Sequence, residues 1–265
     1  MNDVKVVHKM RGQVVRERRF FFMHHNNYLK YYNDKANWAF EDFDIETESL
    51  TDWDLYDILR KHSTPESVIL DLGTGGGETL LKHFPDCKKI LGTDFSPEMI
   101  KTAQENLRKS WRQNINFKVM DNLHMDVPDN CFDIVVARHT ITAPEQIIKC
   151  LKPGGYLLIR GVDKYDCWSL KLIAGGGQSF RDIKPVSITD YESLLRNDFE
   201  DVELVPIHER EYFKDKETFK DFLKQVPILE EVTDEVVDEY AQKNTYDGRI
   251  RLLRGYYGIT ARKPI

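Results

Sequence analysis

The chain has no apolar run long enough to cross a bilayer, and no terminal stretch has the layout of a secretory signal. Cytoplasmic residence, with no membrane partner, is the expectation. Cysteine is scarce: the four residues are scattered, with neither metal-ligand spacing nor the pattern of a disulfide framework, so no metal is expected. Positive charge is also in deficit. A formal net charge of -6 disfavours broad nucleic-acid binding and leaves only a local basic region, Lys5 to Arg19, as a surface for it. That region and the acidic stretch from Glu41 to Asp57 read most simply as solvated surface. Repeats and low-complexity tracts are missing too. With 41% hydrophobic and 31% charged residues over 265 positions, the chain fits one globular domain with insertions.

Short apolar runs are what the sequence does have. Val68 to Leu72, Lys89 to Gly92, Ile115 to Met120, Phe132 to Ala137 and Tyr156 to Ile159 read as buried strands, with later candidates at Val202 to Pro206 and Tyr257 to Ala261. Pro97 to Arg108 reads as a helix capped by Ser96. Helical patterns also fall around Glu217 to Leu223 and Asp234 to Ala241, and Gly175-Gly176-Gly177 reads as an entrance loop. Lys152-Pro153-Gly154-Gly155 reads as a tight turn before a central strand. The alternation predicts an α/β sheet. Residues 1–59 read as a helical N-terminal cap, residues 60–265 as the main domain, and 207–250 as an insertion over a pocket.

The most informative segment is Val68-Ile69-Leu70-Asp71-Leu72-Gly73-Thr74-Gly75-Gly76-Gly77, an apolar strand that collapses into glycines before a helix. Backbone without side chains lets a ligand approach closely. The glycines lack a following Gly-Lys-Ser/Thr, which argues against a nucleotide hydrolase. Leu91-Gly92-Thr93-Asp94 then places a carboxylate at the end of the next strand, where paired ribose hydroxyls could be held. Together they point to an adenosine-containing ligand.

Asp71 to Gly77, Asp94-Phe95-Ser96-Pro97-Glu98-Met99, Phe132-Asp133-Ile134-Val135-Val136-Ala137 and Leu151-Lys152-Pro153-Gly154-Gly155 resemble, in combination, the class I S-adenosylmethionine-dependent methyltransferases. The resemblance covers about Asp57 to Val205. It implies a seven-strand Rossmann-like α/β fold that binds S-adenosylmethionine across the carboxyl ends of the strands and releases S-adenosylhomocysteine. It also implies that Gly73, Gly75 and Gly77 face the aminoacyl end of the donor, with Asp71 organising that site. Asp94 would take the ribose hydroxyls, Asp121 and Asn122 the adenine edge, and Phe95 the ring. Capping, turn stabilisation and core packing are the structural alternatives for these residues.

On the acceptor side, Arg138 and His139 follow the fourth strand at the reaction mouth. His139 could accept a proton or orient the acceptor, or be a neutral structural histidine. Arg138 could contact substrate or a neighbouring carboxylate. Asp163 and Asp166 follow the fifth strand, where a carboxylate could grip a guanidinium through two charge-assisted hydrogen bonds. Phe21, Tyr28 and Tyr32 fall on one side of a helical pattern and, with Trp38, could enclose a flat acceptor.

Arg19-Phe20-Phe21-Phe22-Met23-His24-His25-Asn26-Asn27-Tyr28, Arg138-His139-Thr140, Arg160-Gly161-Val162-Asp163 and Tyr256-Tyr257-Gly258-Ile259-Thr260-Ala261 together resemble the plantazolicin-type peptide N-methyltransferases. That closer resemblance implies methylation, up to twice, of the alpha-amine of an N-terminal arginine on an azole-modified peptide. Asp163 would grip the arginine, and Phe21, Tyr32 and Trp38 would shape the chamber. Another small-metabolite acceptor, or a noncatalytic S-adenosylmethionine sensor, stays open at this stage.

Overall fold

The computed structural model describes residues 44–265. Among the described residues nine strands form one sheet: β1 (Ile45–Ser49), β2 (Val68–Leu72), β3 (Lys89–Asp94), β4 (Ile115–Val119), β5 (Phe132–Arg138), β6 (Leu151–Val162), β7 (Glu200–Phe213), β8 (Thr245–Tyr246) and β9 (Arg249–Arg262). Their order is β1-β7-β9-β6-β5-β2-β3-β4, with β8 paired to β9. Strands β2 to β6 pair in parallel, and β9 runs antiparallel between β6 and β7. The expected seven strands are thus present as the core, and β1 and β8 are additions.

The eight helices among the described residues are α1 (Leu55–His62), α2 (Glu78–His83), α3 (Pro97–Lys109), α4 (Pro144–Cys150), α5 (Trp168–Ala174), α6 (Val186–Arg196), α7 (Lys216–Gln225) and α8 (Asp234–Asn244). Alternation along the strands feeds two apolar layers. Ile69, Ile90, Ile134, Val136 and Leu158 pack on one face with Leu55 and Leu59 of α1 and Leu80 of α2. Leu70, Leu72, Val135, Leu157 and Ile259 pack on the other with Ile147 of α4 and Leu194 of α6. Ser96 caps α3 as expected, its side chain accepting from the Met99 N–H.

Four local expectations need correction. Ile45–Ser49 lies in the segment expected to be helical, yet it is a strand that extends the sheet against β7. The proposed boundary at residue 59 also cuts through α1, whose leucines belong to the sheet's own core. The insertion does not begin at 207, because Ile207 to Phe213 continue β7; the added helices follow that strand. Lys152 to Gly155 form a bulge inside β6, since Leu151 already pairs with Phe132 before Tyr156 pairs with Ile134. The loop expected at Gly175 to Gly177 follows α5, with Gly175 as the helix's left-handed C-cap at φ 69°.

Val162, the last residue of β6, pairs with Tyr256, so β9 from Arg249 to Gly255 and β7 beyond Ile207 project past the parallel strands. This arm carries a third apolar cluster, in which Phe213, Ile250 and Leu252 pack with Phe219, Phe222 and Tyr240 of α7 and α8 and Leu170 of α5. The sheet order reverses between β2 and β5, and the arm stands on the β6 side of that crevice.

Candidate active site

The glycine turn begins where β2 ends. Gly73, Gly75 and Gly77 all have positive φ, at 70°, 58° and 78°. A Cβ at Gly73 would stand 2.6 Å from Thr140 Cβ, so this turn and the loop after β5 meet only because the side chain is missing. At Gly75 a Cβ would meet nothing within 4 Å, and bare backbone faces open space there. That cradle fits the aminoacyl end of the expected donor.

Asp94, the last residue of β3, is buried. Its Oδ2 accepts from the Gly75 N–H at 3.0 Å and its Oδ1 from the Ser96 N–H at 2.9 Å. One carboxylate therefore ties the glycine turn to the start of α3. Burial raises its pKa against those N–H groups. Phe95 follows, half-buried.

After β4, Asp121 accepts from the Leu123 N–H at 2.9 Å and lies 3.0 Å from His124 Nδ1. Asn122 donates through Nδ2 to Thr140 Oγ1 at 3.1 Å and to the Ile141 carbonyl at 3.0 Å. Its Oδ1 is buried without a partner among the described residues. A buried acceptor in that state can take an N–H, and an adenine amino group is one that fits.

Asp71 lies beneath the turn, and burial pushes its carboxyl up to about 7 against the opposing effects of Thr74 and Arg138. An unfolded aspartate titrates near 3.9, so between those values the folded state holds the extra proton. Stability is then fully present below about pH 4 and falls as pH rises towards 7. Urea unfolding should show a loss of roughly 2 to 3 kcal/mol between about pH 5 and pH 8 from this group, absent in Asp71→Asn. An equal slope in the variant would assign it elsewhere.

The mouth after β5 and β6, where the sequence places the acceptor candidates, is built by cross-strand register. Arg138 ends β5, and its Nη2 donates to Thr79 Oγ1 at 3.1 Å. His139 follows with φ 52° and stacks on Tyr256, centroids 5.2 Å apart and planes at 13°. Arg160 of β6 lies opposite Arg138. Its Nη1 is 2.6 Å from His139 Nε2, its Nη2 donates to Glu209 Oε1 at 2.7 Å, and its guanidinium lies 4.1 Å from the Tyr256 centroid. Further up the arm, buried Arg254 bonds Asp166 at 2.9 Å and Glu211 at 2.8 Å.

Desolvation at the packed rim, together with the cations Arg160, Arg138 and Arg254, holds the His139 pKa well below its usual range. The residue is nevertheless exposed, so it can meet a ligand. A guanidinium has no lone pair to offer, so His139 Nε2 must be the acceptor in this contact. With Arg160 donating, the Nε2 lone pair is engaged.

The two aspartates after β6 divide. Asp166 is consumed by Arg254 and the Gly255 N–H. Asp163 is half-buried one residue past the strand, where its Oδ2 accepts from Ser187 Oγ and its Oδ1 from the Lys164 N–H, both at 2.7 Å. The structure does not join Asp163 to His139 or Arg138: it sits by the start of α6, near Tyr257, whereas His139 stacks on Tyr256. Phe21, Tyr32 and Trp38 lie outside the described residues. Sequence reasoning missed Arg160 as a site residue, along with Glu209 and Tyr256, because strand register alone assembles them.

Residues 63–209, more than half of the chain, match the family model described as a methyltransferase domain. The fold is the mixed α/β Rossmann-like fold of methyltransferases, and the chain belongs to that methyltransferase-domain family. A ribosomal protein L11 methyltransferase from Listeria innocua is 32% identical over 109 residues, covering 39% of this chain and 35% of the relative. The chain spans about a third of the length of the curated relatives it matches. Among solved structures, YcgJ from Bacillus subtilis superposes with a TM-score of 0.54 at 17% identity, covering 80% of this chain and 98% of its own. Phosphoethanolamine N-methyltransferase 2 from Haemonchus contortus, in complex with S-adenosyl-L-methionine, gives 0.51 at 21% identity, covering 80% of this chain and 53% of its own. These structures support the fold. Among the described residues no helix is long and apolar enough to cross a membrane, and no group of three or more His, Cys, Asp or Glu is placed to hold a metal.

Proposed function

We propose that the protein is an S-adenosylmethionine-dependent N-methyltransferase whose acceptor is the alpha-amine of an N-terminal arginine on an azole-modified peptide, methylated up to twice. The observation that carries the donor half is the convergence of Gly75, Asp94 and Asn122 on one crevice: open backbone, a buried carboxylate and an orphaned buried acceptor. S-adenosylmethionine supplies an electrophilic methyl group on a sulfonium sulfur. Gly73, Gly75 and Gly77 give the aminoacyl end room. Asp94 takes the ribose hydroxyls, Asp121 and Asn122 read the adenine edge, and Phe95 packs on the ring. Asp71 supports the turn from below.

The acceptor half is supported by the sequence resemblance and by the acidic group at the end of β6. Ser187 Oγ and the Lys164 N–H orient the Asp163 carboxylate. A carboxylate has about four lone-pair sites, and those left over suit a guanidinium. The arm of β7 and β9 walls the β6 side of the crevice, so an arginine gripped at Asp163 by its guanidinium brings its alpha-amine to a site partly screened from water. Phe21, Tyr32 and Trp38 complete the chamber in this proposal.

The test is methylation of an arginine-headed azole peptide, with lysine- and alanine-headed controls, using isotopically labelled donor and mass spectrometry. Label on the terminal nitrogen of the arginine peptide is expected. Its absence under conditions where S-adenosylhomocysteine binds would reject the acceptor. In Asp163→Asn the arginine-over-lysine preference in kcat/KM should fall about tenfold, the equivalent of ~1.4 kcal/mol, with donor-product affinity unmoved. Unchanged preference would remove Asp163 from the recognition of arginine.

A further inference from the structure

We infer that His139 is a hydrogen-bond donor to the methyl acceptor, through Nδ1–H, and that Arg160 is the positioning residue that holds it in that neutral tautomer. The inference rests on the reading that the acceptor enters beside β5 and β6. It replaces a proton-accepting role with a proton-presenting one.

The argument starts from the 2.6 Å contact between Arg160 Nη1 and His139 Nε2. Arginine only donates, so Nε2 presents its lone pair and the single ring proton resides on Nδ1. Arg160 is itself held on two sides. Glu209 of β7 accepts from its Nη2 at 2.7 Å, and the Tyr256 ring of β9 lies beneath the guanidinium at 4.1 Å. Tyr256 also stacks on the imidazole, which leaves the ring little freedom to turn.

The charged and titratable groups facing His139 are Arg138 on its own strand, Arg160 on β6, Glu209 on β7 through Arg160, and Arg254 with Tyr256 on β9. Glu209 is already paired with Arg160, and no carboxylate contacts the ring directly among the described residues. Protonating Nε2 would set an N–H against the Arg160 N–H at hydrogen-bond distance. Nδ1 has no protein partner among the described residues, and the residue is exposed.

An N–H fixed at the reaction mouth selects acceptors that carry a lone-pair atom close to the nucleophile. A peptide carbonyl or an unprotonated azole nitrogen qualifies, whereas an isolated alkylamine does not. Recognition of the first azole or carbonyl would thus complement recognition of the cationic side chain by Asp163.

The decisive measurement is long-range proton-nitrogen NMR of histidine-labelled wild-type protein, with His139 assigned by its loss in His139→Asn. The expected result is a neutral ring protonated at Nδ1 at about pH 6. An imidazolium, or a ring protonated at Nε2, overturns the inference, and the spectrum needs no substrate. The second arm compares His139→Asn with His139→Gly. Both tolerate φ 52°, so neither stores backbone strain there. Asparagine places an N–H near the Nδ1 position and glycine places none.

With the arginine-headed azole peptide as probe, kcat/KM should fall about tenfold in His139→Gly and only about twofold in His139→Asn, mainly through KM. Equal damage in both variants overturns the donor role. Binding of S-adenosylhomocysteine, followed in all three proteins, keeps failure of the methyltransferase reading separate from failure of this inference.

Discussion

Asp94→Asn is expected to weaken S-adenosylhomocysteine binding about 100-fold, the equivalent of ~2.7 kcal/mol. In the proposed site the carboxylate accepts from two ribose hydroxyls while already accepting from Gly75 and Ser96. Only an ionised carboxylate offers enough lone pairs on both oxygens for that load. Asparagine keeps one accepting oxygen and turns the other end into a donor, which faces either the Gly75 or the Ser96 N–H. The turn loses its tie to α3 as well, so the variant should also unfold about 1 to 3 kcal/mol more easily. Calorimetric titration on protein shown by circular dichroism to be folded separates the two effects. An affinity within about threefold of wild type would make Asp94 purely architectural.

Arg254→Met is expected to destabilise the protein by about 3 to 5 kcal/mol at neutral pH. The guanidinium is buried and shared by two carboxylates, Asp166 before α5 and Glu211 on β7. Methionine fills much of the volume but leaves both acids without the guanidinium they share. Burial already pushes Glu211 upwards in the intact cluster, and loss of Arg254 removes the main opposing influence. The folded pKa of Glu211 then stands further above its unfolded value, so the variant should regain stability on acidification towards about pH 5. Urea denaturation at both pH values tests the magnitude and the sign together. A loss under about 1 kcal/mol, with no recovery in acid, would show that the arm does not depend on this cluster.

The parts of the fold legible in sequence are those whose partners impose a local pattern. Val68–Leu72 and Phe132–Arg138 are covered on both faces, so they read as nearly continuous apolar runs. Gly75 and Asp94 sit at strand ends and announce themselves through residue type. By contrast, β1 reads Ile-Glu-Thr-Glu-Ser, an edge strand whose acids are answered from far along the chain: Glu46 by Arg249, and Glu48 by Arg210 and Tyr212. Its strand character lies in those partners and not in its own composition.

The outer half of β7, Ile-His-Glu-Arg-Glu-Tyr-Phe, looks solvated for the same reason. Glu209 and Glu211 are inward-facing acids matched by Arg160 and Arg254 across the register. The His139 contact was equally hidden. Its position after β5 was readable, but its tautomer depends on a guanidinium from β6. Asp163 was placed at the end of its strand correctly, while its partner Ser187 belongs to a helix that the sequence reading did not delimit.

The reversed direction of β9 has a practical consequence for probing the protein. Tyr256 lies level with the end of β6, whereas Arg262 lies level with Tyr156, so the strand carries the chain away from the crevice. Lys263 and Pro264 then meet Gly154, and Ile265 is almost fully exposed. A fluorophore or surface tether attached at Ile265 therefore sits at the opposite pole from Gly75. Ligands can be titrated against an immobilised molecule there without the anchor crowding their entry.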